Sequence, residues 1–218
     1  MVEQRPQKRR KVSLRRPMTV LATGLVLVLV STGCGSRTIV LSYTPPAATT
    51  MSGPRLVILP FDDRRGTEGD EGDAYRVGGI YGGYGNRLAR VIVTHPWPMQ
   101  LREALAAEFR AGGVEATVAD TPDSDARSLG GEIRNFSTES RWGREAHIAA
   151  IVRVRNPERV VLEKRIEARE SGYDLDNFNT DILQALLNRA FARFVKTVAS
   201  DPEVRNALRA PTAVEKDR

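Results

Sequence analysis

The feature that most restricts the fold is an alternating segment near the carboxyl end, followed by a helical one. Apolar residues occupy every second position from 148 to 154, and residues 156–159, Asn-Pro-Glu-Arg, supply a turn before the alternation resumes at Val160. On the returning segment one face carries only charged side chains, namely Glu163, Arg165, Glu167 and Arg169. The pattern predicts a β-hairpin in an antiparallel sheet that is covered on one side only.

Two segments have the period of an amphipathic helix. The first starts at Trp97, repeats apolar residues every four positions and stops at Gly112-Gly113; the second opens at Asn179-Thr180 and runs to Asp201-Pro202. Short apolar runs at 55–63, 114–118 and 129–138 indicate further strands. The order predicts an α+β fold: a two-layer sandwich whose mostly antiparallel sheet of about 4–6 strands carries two helices on one face.

The remaining segments define the expected boundaries of one globular domain at 55–209. Residues 34–54 are rich in Thr, Pro and Ala and are expected to form a flexible tether, although residues 37–43 could instead pair as a short edge strand. Residues 64–86 are expected to be a long loop, first charged and then glycine-rich. The polar tail, 210–218, is expected to be disordered.

Residues 1–33 have the three-part layout of a secretory signal. Seven basic residues precede an apolar run at 20–30, and small residues lead to Cys34. Eleven residues rise only about 16 Å as a helix, against the roughly 30 Å of a bilayer core. Removal of the segment is therefore favoured over an uncleaved signal anchor.

The one cysteine of the chain, Cys34, stands where this signal ends. A single cysteine cannot close an intramolecular disulfide, so its position requires another use. Thr32-Gly33-Cys34 resembles the lipobox of bacterial lipoproteins, in which a small pair precedes the acylated cysteine, although Ser31 replaces the usual leucine. This resemblance implies a lipid on Cys34 and a membrane as partner.

The basic character of the chain belongs to the same segment. The chain has 33 basic and 27 acidic residues, of which seven and one lie in residues 1–33, so 26 of each remain. Because phosphate binding depends on clustered Lys and Arg, the neutral mature chain gives no support for a nucleic-acid partner.

Few residues are suited to catalysis or metal binding, and the chain is predicted not to be an enzyme. His95 and His147 are its two imidazoles, and no Gly-x-Ser-x-Gly elbow occurs. Asp62 and Asp63 at a strand end are the least implausible catalytic carboxylates, for a cell-wall hydrolase. The acidic residues of 68–73 could attract calcium, but their spacing is not that of an EF-hand. No metal and no cofactor is predicted.

Two further features suggest binding. The glycine-rich run 77–86 lacks the Gly-Lys-Ser/Thr of a phosphate loop, so it is expected to be a turn-rich loop, with Tyr81 and Tyr84 as possible contact residues. The aromatic residues of the two helices are explained first by an ordinary core; the alternative is a lipid-binding groove, which requires a cavity between helices and sheet.

The cysteine signal, the Thr/Pro-rich segment and residues 148–203, especially Ala150-Ile-Val-Arg-Val and the 179–198 helix, resemble the YajG-type lipoproteins of proteobacteria. The architecture is also similar to that of envelope-transport lipoproteins of the LptE and PqiC types. The resemblance implies a lipoprotein on the periplasmic face of the outer membrane. Gly35 after the cysteine, where inner-membrane retention favours Asp, fits that location; the inner membrane is the alternative.

These features lead to a functional expectation. The chain is expected to be a non-catalytic lipoprotein with a binding or envelope-assembly role and a protein partner in the envelope. The alternative is an accessory subunit of a lipid or lipopolysaccharide transport system.

Overall fold

The computed structural model describes residues 35–47, 53–66, 73–140, 143–172 and 179–209. The predicted signal, Cys34 and the tail at 210–218 lie outside these ranges. Within them the α+β class is confirmed, but the elements are more numerous than expected. They are β1 (Gly35–Ile39), β2 (Arg55–Asp63), β3 (Arg76–Tyr81), β4 (Arg87–Val93), α1 (Trp97–Ala111), β5 (Glu115–Val118), β6 (Arg127–Ser140), β7 (Arg144–Arg155), β8 (Val160–Gly172), α2 (Thr180–Ser200) and α3 (Pro202–Arg209).

All eight described strands belong to one sheet, larger than the predicted four to six. The long strand β6 lies at its centre. Along one side β6 pairs with β7, which pairs with β8, both antiparallel. Along the other side it is shared: its first half pairs with β2 and its last residues with β3, both parallel. The sheet then continues from β2 to β5, and from β3 through β4 to β1.

The expectation of a mostly antiparallel sheet is therefore corrected for one half of the molecule. Four of the seven strand pairings within the described residues are parallel, and all four involve β1 to β6. Parallel neighbours need a crossover connection and not a short turn, so no local sequence signal announces them. The predicted 148–169 hairpin is confirmed as β7 and β8.

The helices cover one face of the sheet, which we call the inner face. Helix α1 packs on β2 and β5, and α2 packs on β7 and β8 and also reaches β1. Both start and stop as predicted: α1 ends before Gly112-Gly113, and the Asn179 side chain caps α2 by accepting a hydrogen bond from the Asp181 amide (3.0 Å). The short α3 after Asp201 adds a third helix to the two expected.

The predicted loop at 64–86 contains a strand. Arg76–Tyr81 forms β3, and the turn at 82–86 joins it to β4 as a hairpin. Gly78 has φ +137°, and a Cβ there would lie 1.9 Å from the carbonyl oxygen of Thr138 on β6. This glycine thus allows close strand contact, which its sequence context does not distinguish from loop flexibility.

The predicted tether is partly structured. Gly35–Ile39 pairs with β4, which agrees with the edge strand left open by the sequence more than with a free tether. Residues 40–43, which we call the strap, then lie along α2. The Val40 amide donates to the Gln184 side chain (2.7 Å), and the Ser42 amide donates to Asn188 (3.0 Å). No local pattern predicts these contacts, because the partners lie more than 140 residues away.

Candidate interaction surface

One end of the sheet brings the start of the domain next to the β3–β4 turn. Gly35, the first residue of β1, lies beside Ala89, and β4 begins only two residues earlier at Arg87, directly after the turn. We call this region the hairpin end. Cys34 is joined to Gly35 by a peptide bond, so the predicted lipidation site is covalently attached to this end.

The two tyrosines of the predicted interaction loop differ in position. Tyr84 lies in the turn and is fully exposed. Tyr81 is the last residue of β3 and is half-buried, with its ring packed over Gly79. The turn therefore presents one tyrosine to solvent and uses the other as part of its support.

Three exposed arginines flank the turn and β1: Arg37, Arg87 and Arg90. Among the described residues no carboxylate forms an ion pair with any of them. By register the nearest acidic residue on the adjoining strands is Glu139, which lies beside Gly79 and faces solvent. The hairpin end thus combines an exposed aromatic ring with uncompensated positive charge.

The uncovered face of the sheet, which we call the outer face, has the opposite arrangement. Arg153 on β7 lies 2.7 Å from Glu132 on one side and 2.7 Å from Glu163 on the other. The hydrogen bond that Arg153 donates to Glu132 holds the pKa of Glu132 below its ordinary value, and the hydrogen bond that Arg153 donates to Glu163 raises the pKa of Arg153. The charged, solvated face predicted from β8 is confirmed, and its charges neutralise one another across strands.

Asp62 and Asp63 are separated by the pleat of β2. Asp63 accepts two 2.8 Å hydrogen bonds from Arg65, which is only 2% exposed. The Arg65 guanidinium also donates to the carbonyls of Arg76 (2.6 Å) and Asp73 (2.9 Å) and lies 4.8 Å from the Trp97 ring centroid. Asp63 and Arg65 therefore join the backbone at Asp73 and Arg76 to the end of β2. The sequence analysis does not predict this role of Arg65. Its position two residues after Asp63, the last residue of β2, is the one local signal for the ion pair.

The histidines lie in separate surroundings. His147 is on the outer face with Nε2 3.5 Å from a carboxylate oxygen of Glu167, and burial, with a further contribution from Arg169, lowers its pKa. Ser137, opposite His147 on β6, donates to Asn135 (2.7 Å). His95 precedes α1, with Nδ1 3.0 Å from the Thr94 hydroxyl. The Thr94–His95 contact joins two exposed neighbours along the chain, and the Ser137 hydroxyl donates to Asn135 and not to His147.

Metal binding was considered for the acidic residues at 68–73. Of these the structure describes Asp73, whose carboxylate accepts hydrogen bonds from the amides of Tyr75 (3.0 Å) and Arg76 (3.2 Å). Within the described part of the chain no group of three or more His, Cys, Asp or Glu side chains could hold a metal ion.

The aromatic residues proposed as a lipid groove belong to the core. Trp97, Phe109, Phe191 and Phe194 are each at most 3% exposed. The rings of Trp97 and Phe136 stack with centroids 4.6 Å apart, and Phe136 meets Phe191 edge-on at 6.1 Å. These rings fill the space between helices and sheet where the groove hypothesis required a cavity. A shallow groove remains beside the strap, lined by Tyr43, Met99, Glu103, Ala107 and Phe191.

The described helices contain none with the length and apolar character needed to cross a membrane.

Comparisons with known proteins yield fold relatives only. No protein-family model matches the chain, and no curated protein matches it. A solved structure of a Xanthomonas campestris protein of family DUF330 is similar, with TM-score 0.53 and 15% identity, covering 74% of this chain and 91% of that one. A minor lipoprotein from Acinetobacter baumannii has TM-score 0.42 and 12% identity over 72% of this chain and 95% of its own. At such identities the likeness to the first shows a shared fold, and a fold does not assign a function.

Proposed function

We propose that this chain is a bacterial lipoprotein, cleaved before Cys34, acylated on that residue, and held on the periplasmic face of the outer membrane. The observation that carries the proposal is the junction at residue 34. A segment with the layout of an export signal ends in the chain's one cysteine, and strand β1 begins at the next residue. The resemblance to YajG-type lipoproteins belongs to the same proposal.

The domain is proposed to act by binding and not by catalysis. Asp63 is engaged by Arg65, Ser137 by Asn135, and the charges of the outer face by one another. The hairpin end combines three arginines that form no ion pair among the described residues with the fully exposed Tyr84, a combination that suits contact with another component of the envelope. If a transport permease or shuttle copurifies with the crosslinked chain, the accessory-subunit alternative is identified.

Membrane fractionation of the full chain tests the anchor. Wild type, Cys34→Ala and the matched control Ser36→Ala are expressed in a proteobacterial host, and inner and outer membranes are separated. We expect wild type and Ser36→Ala in the outer membrane, and Cys34→Ala to be lost from it. An unchanged distribution of Cys34→Ala contradicts lipidation.

The membrane assignment has its own test, because Gly35 occupies the position that directs sorting in the resembled lipoproteins. A Cβ at Gly35 meets no atom within 4 Å, so Gly35→Asp is compatible with the fold. We expect this variant to shift to the inner membrane while Gly35→Ala does not. If both variants remain with wild type, Gly35 is not the sorting signal.

Copurification after crosslinking identifies the partner class.

Asp62→Ala is the appropriate test for catalysis, since Asp63→Ala would also break the Arg65 contact. We expect Asp62→Ala to support growth and envelope integrity as wild type does. A loss of envelope integrity with the variant still folded would favour a hydrolase.

A further inference from the structure

We propose that the hairpin end rests on the surface of the bilayer that holds the Cys34 lipid, with Tyr84 at the level of the headgroups and Arg37, Arg87 and Arg90 facing anionic phospholipids. The proposal rests on the proposed lipidation of Cys34. It adds an orientation of the domain and a ligand class, an anionic lipid surface.

Very little chain separates the proposed lipid on Cys34 from the domain. The expected twenty-residue tether would have allowed any orientation, but β1 begins at Gly35, whose Cα is about 3.8 Å from that of Cys34. Five consecutive residue pairs fix β1 to β4, from Gly35 beside Ala89 to Ile39 beside Val93. A lipid on Cys34 must therefore lie close to the hairpin end.

The hairpin end and the β7–β8 turn lie at opposite ends of the sheet. Strand β7 runs from Arg144 to Arg155, which is on the order of 35 Å at the usual rise per residue. The β7–β8 turn at 156–159 follows its far end, whereas the last residues of β6 lie beside β3 at the hairpin end. If the strands are steeply inclined to the membrane plane, the hairpin end and the β7–β8 turn cannot both contact the membrane.

The hairpin end carries the residue types that favour contact with a membrane surface. Tyrosine is enriched at membrane interfaces because its ring is apolar and its hydroxyl remains hydrated. Basic residues near the surface are attracted by anionic headgroups. Tyr84 is fully exposed at the turn, and the three flanking arginines lack carboxylate partners among the described residues. On the outer face, by contrast, Arg153 and Arg165 form ion pairs with Glu132, Glu163 and Glu167.

Tryptophan quenching in vesicles tests the orientation with the full acylated protein. Tyr84→Trp is compared with Glu158→Trp, which places the same probe in the exposed turn at the opposite end. Each variant is reconstituted into vesicles of phosphatidylethanolamine and phosphatidylglycerol with brominated acyl chains. Emission from wild type is subtracted, because Trp97 and Trp142 are present in every variant.

We expect the added emission of Tyr84→Trp to be quenched and that of Glu158→Trp to be unaffected. Equal quenching of the two probes, or none of either, overturns the orientation. The intact mass of the same samples separates the two proposals. Acylated protein with an unquenched Tyr84→Trp removes this inference and leaves the lipoprotein assignment, whereas protein without acyl mass removes both.

The role of the arginines is tested by lipid composition. In the Tyr84→Trp background, the triple variant Arg37→Gln, Arg87→Gln, Arg90→Gln is compared with a single control, Arg159→Gln, in the far turn. We expect quenching to rise with the phosphatidylglycerol fraction in the control and to lose this dependence in the triple variant. An unchanged dependence in the triple variant overturns the anionic lipid as ligand.

Discussion

The two halves of the sheet are stabilised in different ways. Strands β6, β7 and β8 form a long antiparallel ladder whose inner face packs on α2 and whose outer face carries paired charges. Strands β1 to β5 are shorter, pair mainly in parallel, and depend on particular polar contacts, of which the Arg65 cluster and the strap are the clearest. The half that carries the proposed membrane contact shares the hydrophobic core and has these polar contacts in addition.

The largest difference is expected from a glycine that lets β3 approach β6. Gly78→Ala places a methyl group 1.9 Å from the Thr138 carbonyl oxygen at φ +137°, so β3 must move. We expect a loss of about 4 kcal/mol in the free energy of unfolding, measured by urea denaturation. Gly85→Ala is the control: its φ is also positive, +79°, but its surroundings are open, and about 1 kcal/mol is expected. Equal losses would contradict a packing role for Gly78.

The second comparison sets a buried arginine against one on the outer face. Arg65→Met removes the hydrogen-bond donor to Asp63 and to three backbone carbonyls, and about 3 kcal/mol is expected because a carboxylate loses a charged partner in a largely buried site. Arg153→Met removes an arginine that is 30% exposed, and solvent screening reduces the expected loss to less than about 1 kcal/mol. Thermal denaturation of both variants measures the two losses of stability. A greater loss of stability for Arg153→Met than for Arg65→Met would contradict the comparison.

The difference between the halves also explains what the sequence could predict. The β7–β8 hairpin, α1 and α2 followed from residues 148–169, 97–113 and 179–201 because their periodicity is local. Strand β3 did not, because its pairing with β6 depends on residues sixty positions away and its glycines are also typical of loops. Likewise the strap depends on Asn188, an amide on a helix surface with no distinguishing neighbours.

The candidate surface was predicted only in part. Tyr84 could be selected because an exposed aromatic in a glycine-rich turn is a plausible contact residue. The grouping of Arg37 with Arg87 and Arg90 required the parallel pairing of β1 with β4, which no local pattern contains. The expected tether had also separated Cys34 from the domain by twenty residues.

A smaller effect is expected at the strap. Asn188→Ala removes the acceptor for the Ser42 amide and a donor to the Val40 carbonyl (3.2 Å), and about 1 kcal/mol is expected for exposed hydrogen bonds. Hydrogen exchange should become faster at Ser42, while Lys196→Ala, an exposed residue on the same helix, should leave it unchanged. Slow exchange of Ser42 in the Asn188 variant would show that the strap is held by other contacts.

The smallest effect concerns His147 on the outer face. Burial lowers its folded pKa below the unfolded value of about 6.5, so the folded state favours the neutral ring. This contribution is complete above about pH 6.5 and is lost as pH falls toward the folded pKa. We expect His147→Gln to reduce the loss of stability as the pH falls below about 6.5, measured by urea titration at each pH, with His95→Gln as the control. An unaltered pH profile would show that His147 does not contribute to it.

The central claim, that Cys34 carries the anchor and begins the folded domain, is tested most directly by the intact mass of the mature protein. We expect a chain that starts at residue 34 with added acyl mass in wild type and in Ser36→Ala, and no acyl mass in Cys34→Ala. A wild-type mass that retains residues 1–33 without acylation would contradict the claim, and with it the orientation at the membrane.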